Sequence, residues 1–144
     1  MQMTKVGDNA LDQLRDALRQ AALPCDDVGE PGRQFYRFEA DGKWVAFGGL
    51  EGAAPDMLLR SVVVSDARRG EGLGNAVLLA LEQCAASQGA LRLHLLTQGA
   101  AGFFSANGYE RFDRQTAPAA ISQTVQFKQL CPASASYLRK TLGV

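Results

Sequence analysis

The chain has 144 residues, 47% of them apolar, and its 15 basic and 15 acidic side chains cancel to a formal net charge of zero. That length and composition predict one domain, residues 1–144, with a core large enough to stand without staples. Neutrality excludes general electrostatic attraction to nucleic acid or an anionic membrane, although it leaves room for a local anion site. Cys25, Cys84 and Cys131 are scattered, odd in number and without a CxxC pair, so the expectation is reduced thiols and no metal centre. No signal-peptide core and no apolar run of about 18 residues occurs, which predicts a cytoplasmic protein without membrane attachment.

Asp8 or Asn9 is placed to cap a first helix, in which Leu11, Leu14, Leu18 and Ala22 recur at helical spacing and which Pro24 ends. Residues 24–34, carrying Pro24, Gly29, Pro31 and Gly32, read as a mobile loop. Phe35 to Glu39 and Trp44 to Leu50 form two strands of a hairpin turned by Asp41-Gly42, the second weakened by Gly48-Gly49. Met57 to Val64 is a third strand. A helix after Gly72 places Leu73, Val77, Leu81 and Cys84 on one face and ends at Gly89. Leu91, Leu93 and Leu95 alternate with Arg92 and His94 in another strand. Ala100 to Asn107 is a short helix closed by Gly108. Tyr109 to Phe112 and Ser122 to Leu130 read as final strands, and Ser134 caps a tail helix through Leu142. The order is that of a mixed α/β domain.

The densest signal is Val62-Val63-Val64-Ser65-Asp66-Ala67-Arg68-Arg69-Gly70-Glu71-Gly72-Leu73-Gly74, a β-branched strand running through a glycine-spaced turn into an apolar helix. Glycines let main-chain N–H groups approach negative oxygens without a Cβ in the way. The helix beginning near Gly72 adds the field of its N-terminus, and Arg68 and Arg69 add charged donors. A nucleotide-hydrolysing loop would need GxxxxGK[ST], and no lysine follows these glycines. A dinucleotide fingerprint fails at Asn75 and by its mid-chain position after a hairpin. Arg69-x-x-Gly72-x-Gly74 remains, set against the plainer alternative of a tight turn that holds nothing.

That pattern resembles the acyl-CoA pyrophosphate loop of the Gcn5-related N-acetyltransferase superfamily, and the resemblance covers nearly the whole chain. It implies an α/β fold with a mixed, mostly antiparallel sheet in which two central parallel strands splay apart, flanked by helices. Leu58 to Val64 resembles the first splayed strand and Leu91 to Thr97 the second. Acetyl-CoA is the implied cosubstrate, with the pantetheine arm near Ser61, Val62 and Val64 and the pyrophosphate on Arg69, Gly70, Gly72, Leu73 and Gly74. Members of the superfamily often carry a tyrosine four residues before the glycine of a Gly-Tyr pair as general acid. Gly108-Tyr109 fits the pair, but the matching position is Phe104, which lines the implied cofactor site and donates no proton. The segments Leu58-Leu59-Arg60-Ser61, Leu95-Leu96-Thr97, Phe103-Phe104 and Thr124 to Ala135 resemble the small N-acetyltransferases encoded with arsenic-resistance genes. Related enzymes act on amino-acid-like toxins such as phosphinothricin and arsinothricin. Residues Gln2 to Val6 make a poor strand, so the first strand of the fold is expected to be truncated or frayed.

Amide formation needs a deprotonated amine and a donor for the developing oxyanion. Glu51, at the end of a hairpin strand, is the first candidate for general base through water, with a solvated loop carboxylate as the alternative; Glu39 is the weaker candidate. The backbone N–H near Val62 is the candidate oxyanion donor. Arg60, a lone charge in an apolar strand, needs either a substrate anion or a structural partner such as Glu51 or Glu39. Arg37 is a second candidate substrate contact, and Thr97 a third at its strand end. Asn107 is either a cofactor contact or a helix cap. His94 reads as a satisfied core histidine more readily than as a base, and Cys131 as a core filler at the sheet edge. The expected activity is transfer of acetyl to the primary amine of a small, anionic amino compound, an arsenic-containing amino acid analogue among the candidates. The competing readings are a protein amine acetyltransferase, a non-catalytic acyl-CoA sensor suggested by Phe104, and a structural module that dimerises through the Thr124–Leu130 edge. A homodimer is compatible with the enzyme reading as well.

Overall fold

A computed structural model gives the architecture over residues 1–130 and 132–143. The seven-stranded sheet runs in the order β1-β2-β3-β4-β5-β7-β6. Its strands are β1 (Gln2–Lys5), β2 (Arg33–Ala40), β3 (Lys43–Glu51), β4 (Asp56–Val64), β5 (Arg92–Thr97), β6 (Glu110–Phe112) and β7 (Ser136–Thr141). The helices are α1 (Leu11–Gln20), α2 (Leu73–Ser87), α3 (Ala101–Ala106) and α4 (Ala119–Ser122). Every neighbouring pair is antiparallel except β4 with β5. Among the described residues no helix is long and apolar enough to cross a membrane.

Strand alternation sends apolar side chains to both faces of the sheet. One face carries Phe35, Phe47 and Val63 against Leu14 and Leu18 of α1. The other carries Phe38, Leu93, Leu95 and Leu138 against Val77, Leu78 and Leu81 of α2. The parallel pair is short. It begins at Asp56↔Arg92 and ends at Leu58↔His94. Beyond that point β5 pairs only with β7, up to Thr97↔Ser136, and β4 pairs only with β3. The two strands part between the two helical layers, as the resemblance implies.

Several local expectations are corrected. Neither Asp8 nor Asn9 caps α1: residues Asp8–Ala10 make a 3-10 turn, and no side chain caps either element. Pro24 does not end α1. Ala22 does, at φ 58°, while Leu23 N–H donates to Leu18 O at 2.9 Å and Ala22 N–H to Arg19 O at 3.1 Å. These are the paired bonds of a Schellman motif, with alanine where glycine is usual. The loop after Pro24 is tied down by Asp27 and Val28, 7% and 3% exposed.

The largest departure is C-terminal. Residues 122–130 form no strand: α4 is followed by a π-helical turn, Gln126–Leu130. Thr124 closes back on this segment, its Oγ1 donating to Ile121 O at 2.7 Å, and Arg114 pins it by donating to Phe127 O at 2.9 Å and Pro132 O at 2.7 Å. The expected tail helix is instead β7, inserted between β5 and β6, where Tyr137 and Leu138 are buried on opposite faces. Thr124–Leu130 is therefore no sheet edge through which two copies could pair; β1 and β6 are the edge strands. Cys131 lies outside the described residues.

Candidate active site

The parting of β4 and β5 opens a cavity of about 1100 Å³ through the sheet. On the α2 face it is walled by Leu73, Gly74, Ala100, Phe103 and Phe104, and on the α1 face by Ala21, Leu23, Pro24 and Asp26 together with Gln126. Leu59 to Val64 of β4 and Leu95 to Thr97 of β5 line it between the two mouths. Beside it, β4 leaves its ladder with β3. The register runs Gly49↔Arg60 and then Phe47↔Val63, so Ser61 and Val62 together face Gly48. Such a bulge frees main-chain groups and bends the strand. Ser61 takes it in a left-handed conformation, φ 61°.

The glycine turn forms the α2-face mouth. Gly70 and Gly72 have φ 83° and 77°, and a Cβ at either would meet nothing within 4 Å. These glycines are required by conformation, not by crowding. Gly72 is the N-cap of α2, no described side chain caps its first turn, and Gly72, Leu73 and Gly74 line the opening. Gly74 has a different role: a Cβ there would come 3.2 Å from the Phe103 ring, so it lets α3 close on α2. Arg69 Nε reaches Val64 O at 3.4 Å, and its Nη2 pairs with Asp66 at 3.0 Å. Arg69, Gly70, Gly72, Leu73 and Gly74 all line the cavity, as do Ser61, Val62, Val64, Thr97 and Phe104. Asn107 does not. Its Nδ2 donates to Asn75 Oδ1 at 3.1 Å and Phe103 O at 2.9 Å, which holds α3 against the start of α2.

Arg60 is not free to clamp an anion. Its side chain is fully buried, with Nη1 and Nη2 both 2.6 Å from Asp27, Nη1 2.8 Å from Glu51 Oε1 and Nε 3.1 Å from Ser61 Oγ. Arg33 Nε completes the network at 2.9 Å from Asp27. Burial raises the Asp27 pKa, but the hydrogen bonds and charges of Arg60, then Arg33, outweigh it and hold the carboxyl below its ordinary value. Glu51 is buried, bound to Arg60 and absent from the cavity wall. It is neither the solvated loop carboxylate nor an open base. Arg37 is further removed: it pairs with Glu39, and its Nε donates to Gln13 Oε1 at 3.0 Å. A buried arginine demands a carboxylate, so Arg60 announced a partner. Nothing in the sequence singled out Asp27 in the preceding loop.

His94 is a satisfied core histidine. Its Nε2 is 2.7 Å from Asp56 Oδ1 and its Nδ1 2.7 Å from the Tyr137 hydroxyl, while Arg92 also binds Asp56. Burial pushes its pKa down, Asp56 partly offsets this, and Arg139 and Arg92 add to it, so the imidazole is held neutral. The hydroxyls on the described cavity wall belong to Ser61 and Thr97. Each accepts a bond, Ser61 from Arg60 and Thr97 from Ala100 N at 3.1 Å, which leaves its O–H to donate. Phe104 packs edge-on against Phe103 and Tyr109. The Tyr109 hydroxyl donates to Glu82 at 2.9 Å, away from the cavity, so it does not replace the missing tyrosine.

A half-open parallel pair, a bulged strand along the gap and an uncapped glycine turn at its mouth define an acyl-CoA-binding fold of the acyltransferase type. The sequence profile described as acetyltransferase (GNAT) domain matches residues 31–111, more than half of the chain, and the chain belongs to that family. Acetyl-CoA is the cosubstrate of that family and acetyl transfer its chemistry. Among solved structures, N-acetylglutamate synthase from Neisseria gonorrhoeae, complexed with coenzyme A and L-arginine, superposes with a TM-score of 0.81 at 16% identity over 99% of this chain and 33% of that one. Rv2747 from Mycobacterium tuberculosis, in complex with CoA, gives 0.80 at 19% identity, covering 99% and 100% of the two chains. The aminoglycoside 6'-N-acetyltransferase from Enterococcus faecium gives 0.73 at 18%, covering 100% and 98%. At these identities the shared property is the fold, and the chain spans about a third of the length of the Neisseria synthase. No curated protein matches it significantly.

Proposed function

We propose that the chain is an acetyl-CoA-dependent N-acetyltransferase acting on the primary amine of a small amino compound. The observation that carries this is the cavity that lies between β4 and β5, with the glycine turn at one mouth and the residues after α1 at the other. The residues present fit acetyl-CoA. Arg69, Gly70, Gly72, Leu73 and Gly74 would hold the pyrophosphate, and the main chain at Ser61, Val62 and Val64 the pantetheine arm. Bound there, it supplies an acetyl group activated as a thioester. The Val62 N–H, at the bulge, is the candidate donor to the carbonyl oxygen. Phe104 gives no proton, and the hydroxyls of Ser61 and Thr97 stand on the wall in its place. Coenzyme A is a good leaving group, so a dedicated acid is not required for transfer.

The acceptor read as amino-acid-like draws support from the resemblance to toxin acetyltransferases and from the Neisseria synthase, which has been solved with coenzyme A and N-acetyl-glutamate. An anionic preference draws none from Arg37 or Arg60, whose charges are already matched. Phe104 favours a second reading, an acyl-CoA sensor. Mass-resolved transfer from acetyl-CoA to a panel of amines separates the two. The panel holds amino acids, phosphinothricin, an amino-acid arsenical, an aminoglycoside and a lysine peptide. One singly acetylated small-molecule product is expected. Acetyl-CoA binding without any acetylated amine would establish the sensor, and acetylation of the peptide alone a protein acetyltransferase.

A further inference from the structure

Gln126 stands on the π-helical turn and lines the cavity from the α1 face, the side opposite the glycine turn. The residue is 4% exposed. Its carboxamide makes no hydrogen bond to any described group, yet no described buried side-chain N or O is sealed off without a partner. The little exposure the residue keeps lies beside the cavity it lines. Its turn is anchored at the next residue: Arg114 binds Phe127 O and Pro132 O and lies 5.3 Å over the Phe127 ring, and that ring meets Tyr137 edge-on at 5.5 Å. A carboxamide offers two donors and one acceptor. A ligand that makes these bonds as it displaces water from the cavity gains selectivity over one that leaves them unmade.

The other polar groups on this face are committed or at the rim. Arg60 is saturated by Asp27 and Glu51, and Asp26 is exposed. We propose that Gln126 is a specificity-determining residue, its carboxamide hydrogen-bonding a carboxylate or carboxamide carried by the acceptor amine. This rests on the acetyltransferase reading. It makes selection of the acceptor a matter of matched hydrogen bonds presented by a neutral side chain, in place of charge pairing with an arginine.

The test measures kcat and KM of the full chain for three acceptors: an amino acid, the same amino acid as its primary amide, and an alkylamine that lacks both groups. Wild type is compared with Gln126→Met and Gln126→Glu, with KM for acetyl-CoA and Tm followed for each. The wild type is expected to prefer the two polar acceptors. Gln126→Met should lose about 10- to 100-fold in kcat/KM for the preferred one, mostly through KM, with the alkylamine and acetyl-CoA little affected. Gln126→Glu, nearly isosteric, should fall further with the amino acid than with its amide, because the new carboxylate repels that of the acceptor, and the wild-type preference between the two acceptors tells which group is recognised. Unchanged acceptor selectivity in Gln126→Met, or in Gln126→Glu should the first variant melt early, overturns the proposal alone. No turnover of any amine by wild type overturns the acetyltransferase reading and the proposal with it.

Discussion

At the scale of single residues, Gly72 and Asp27 carry the sharpest consequences. Gly72 sits at φ 77° with free space around it, so a side chain there costs conformation without a clash. Gly72→Val is expected to cost about 1–3 kcal/mol of stability and to weaken acetyl-CoA binding at least tenfold, on the order of the loss of one or two charge-assisted hydrogen bonds. Calorimetry read beside Tm distinguishes the two effects; undiminished affinity in a folded variant would remove the pyrophosphate assignment. Asp27→Ala leaves the fully buried Arg60 guanidinium with Glu51 as its one described carboxylate partner, and about 1.5–3 kcal/mol should be lost in urea unfolding. Glu51→Gln should leave the acid limb of the pH–rate profile where it is, because Glu51 stands off the cavity wall and is held by Arg60. Displacement of that limb would restore Glu51 as the base.

At the scale of elements, the sheet is shaped by close approaches that a propensity reading takes for weakness. Read by propensity, Gly48-Gly49 is a weak point of β3. Gly48 instead faces the two-residue bulge of β4, and a Cβ on Gly49 would fall 2.7 Å from the Phe35 ring and 3.4 Å from Arg60 Cγ. Gly49→Ala has no room to yield and should lose about 1–3 kcal/mol, measured as a fall in urea midpoint at unchanged slope. Ala22→Gly points the other way. Removing the left-handed penalty at the end of α1, less the entropy glycine adds to the unfolded chain, should give roughly 0.5–1 kcal/mol and raise Tm by a few degrees. The hairpin turn at Asp41-Gly42 and the glycine stops of α2 and α3 were legible because each is settled within a few residues: Ala90 N–H closes on Ala85 O at 3.1 Å and Tyr109 N–H on Phe104 O at 3.1 Å. The identities of β7 and of residues 122–130 were not. Ser136–Thr141 becomes a strand because β5 and β6 both offer it a ladder, and those partners lie tens of residues upstream.

At the scale of the whole molecule, buried groups make stability fall with acidification in two separate stages. His94 is held neutral among Asp56, Arg92, Arg139 and Tyr137, its pKa below the ordinary 6.5. The unfolded chain takes up that proton first, so this contribution is complete above 6.5 and is lost as the pH falls toward the depressed native value. Asp27 follows. Its contribution is complete above 3.8 and is lost as the pH falls through its own depressed value. Urea midpoints across the acid range should show both stages in wild type, the upper one missing in His94→Gln and the lower one reduced in Asp27→Asn, where Asp56, held below its ordinary value by Arg92 and His94, still titrates. A profile unchanged by either substitution would place the acid sensitivity elsewhere.

The sequence alone determined what is local or periodic: the hairpin, the apolar faces of α1 and α2 and the glycine turn between β4 and α2. It also announced that Arg60 needed a counter-charge. The tertiary structure decided which groups meet across long separations: Asp27 with Arg60, Asp56 with His94 and Tyr137, and the chain near Gln126 with the gap between β4 and β5. The physical reason is that burial and pairing belong to the assembled sheet. A side chain's charge or hydrogen bond is spent on whichever partner the topology brings within reach, and residue spacing along the chain carries no record of that distance.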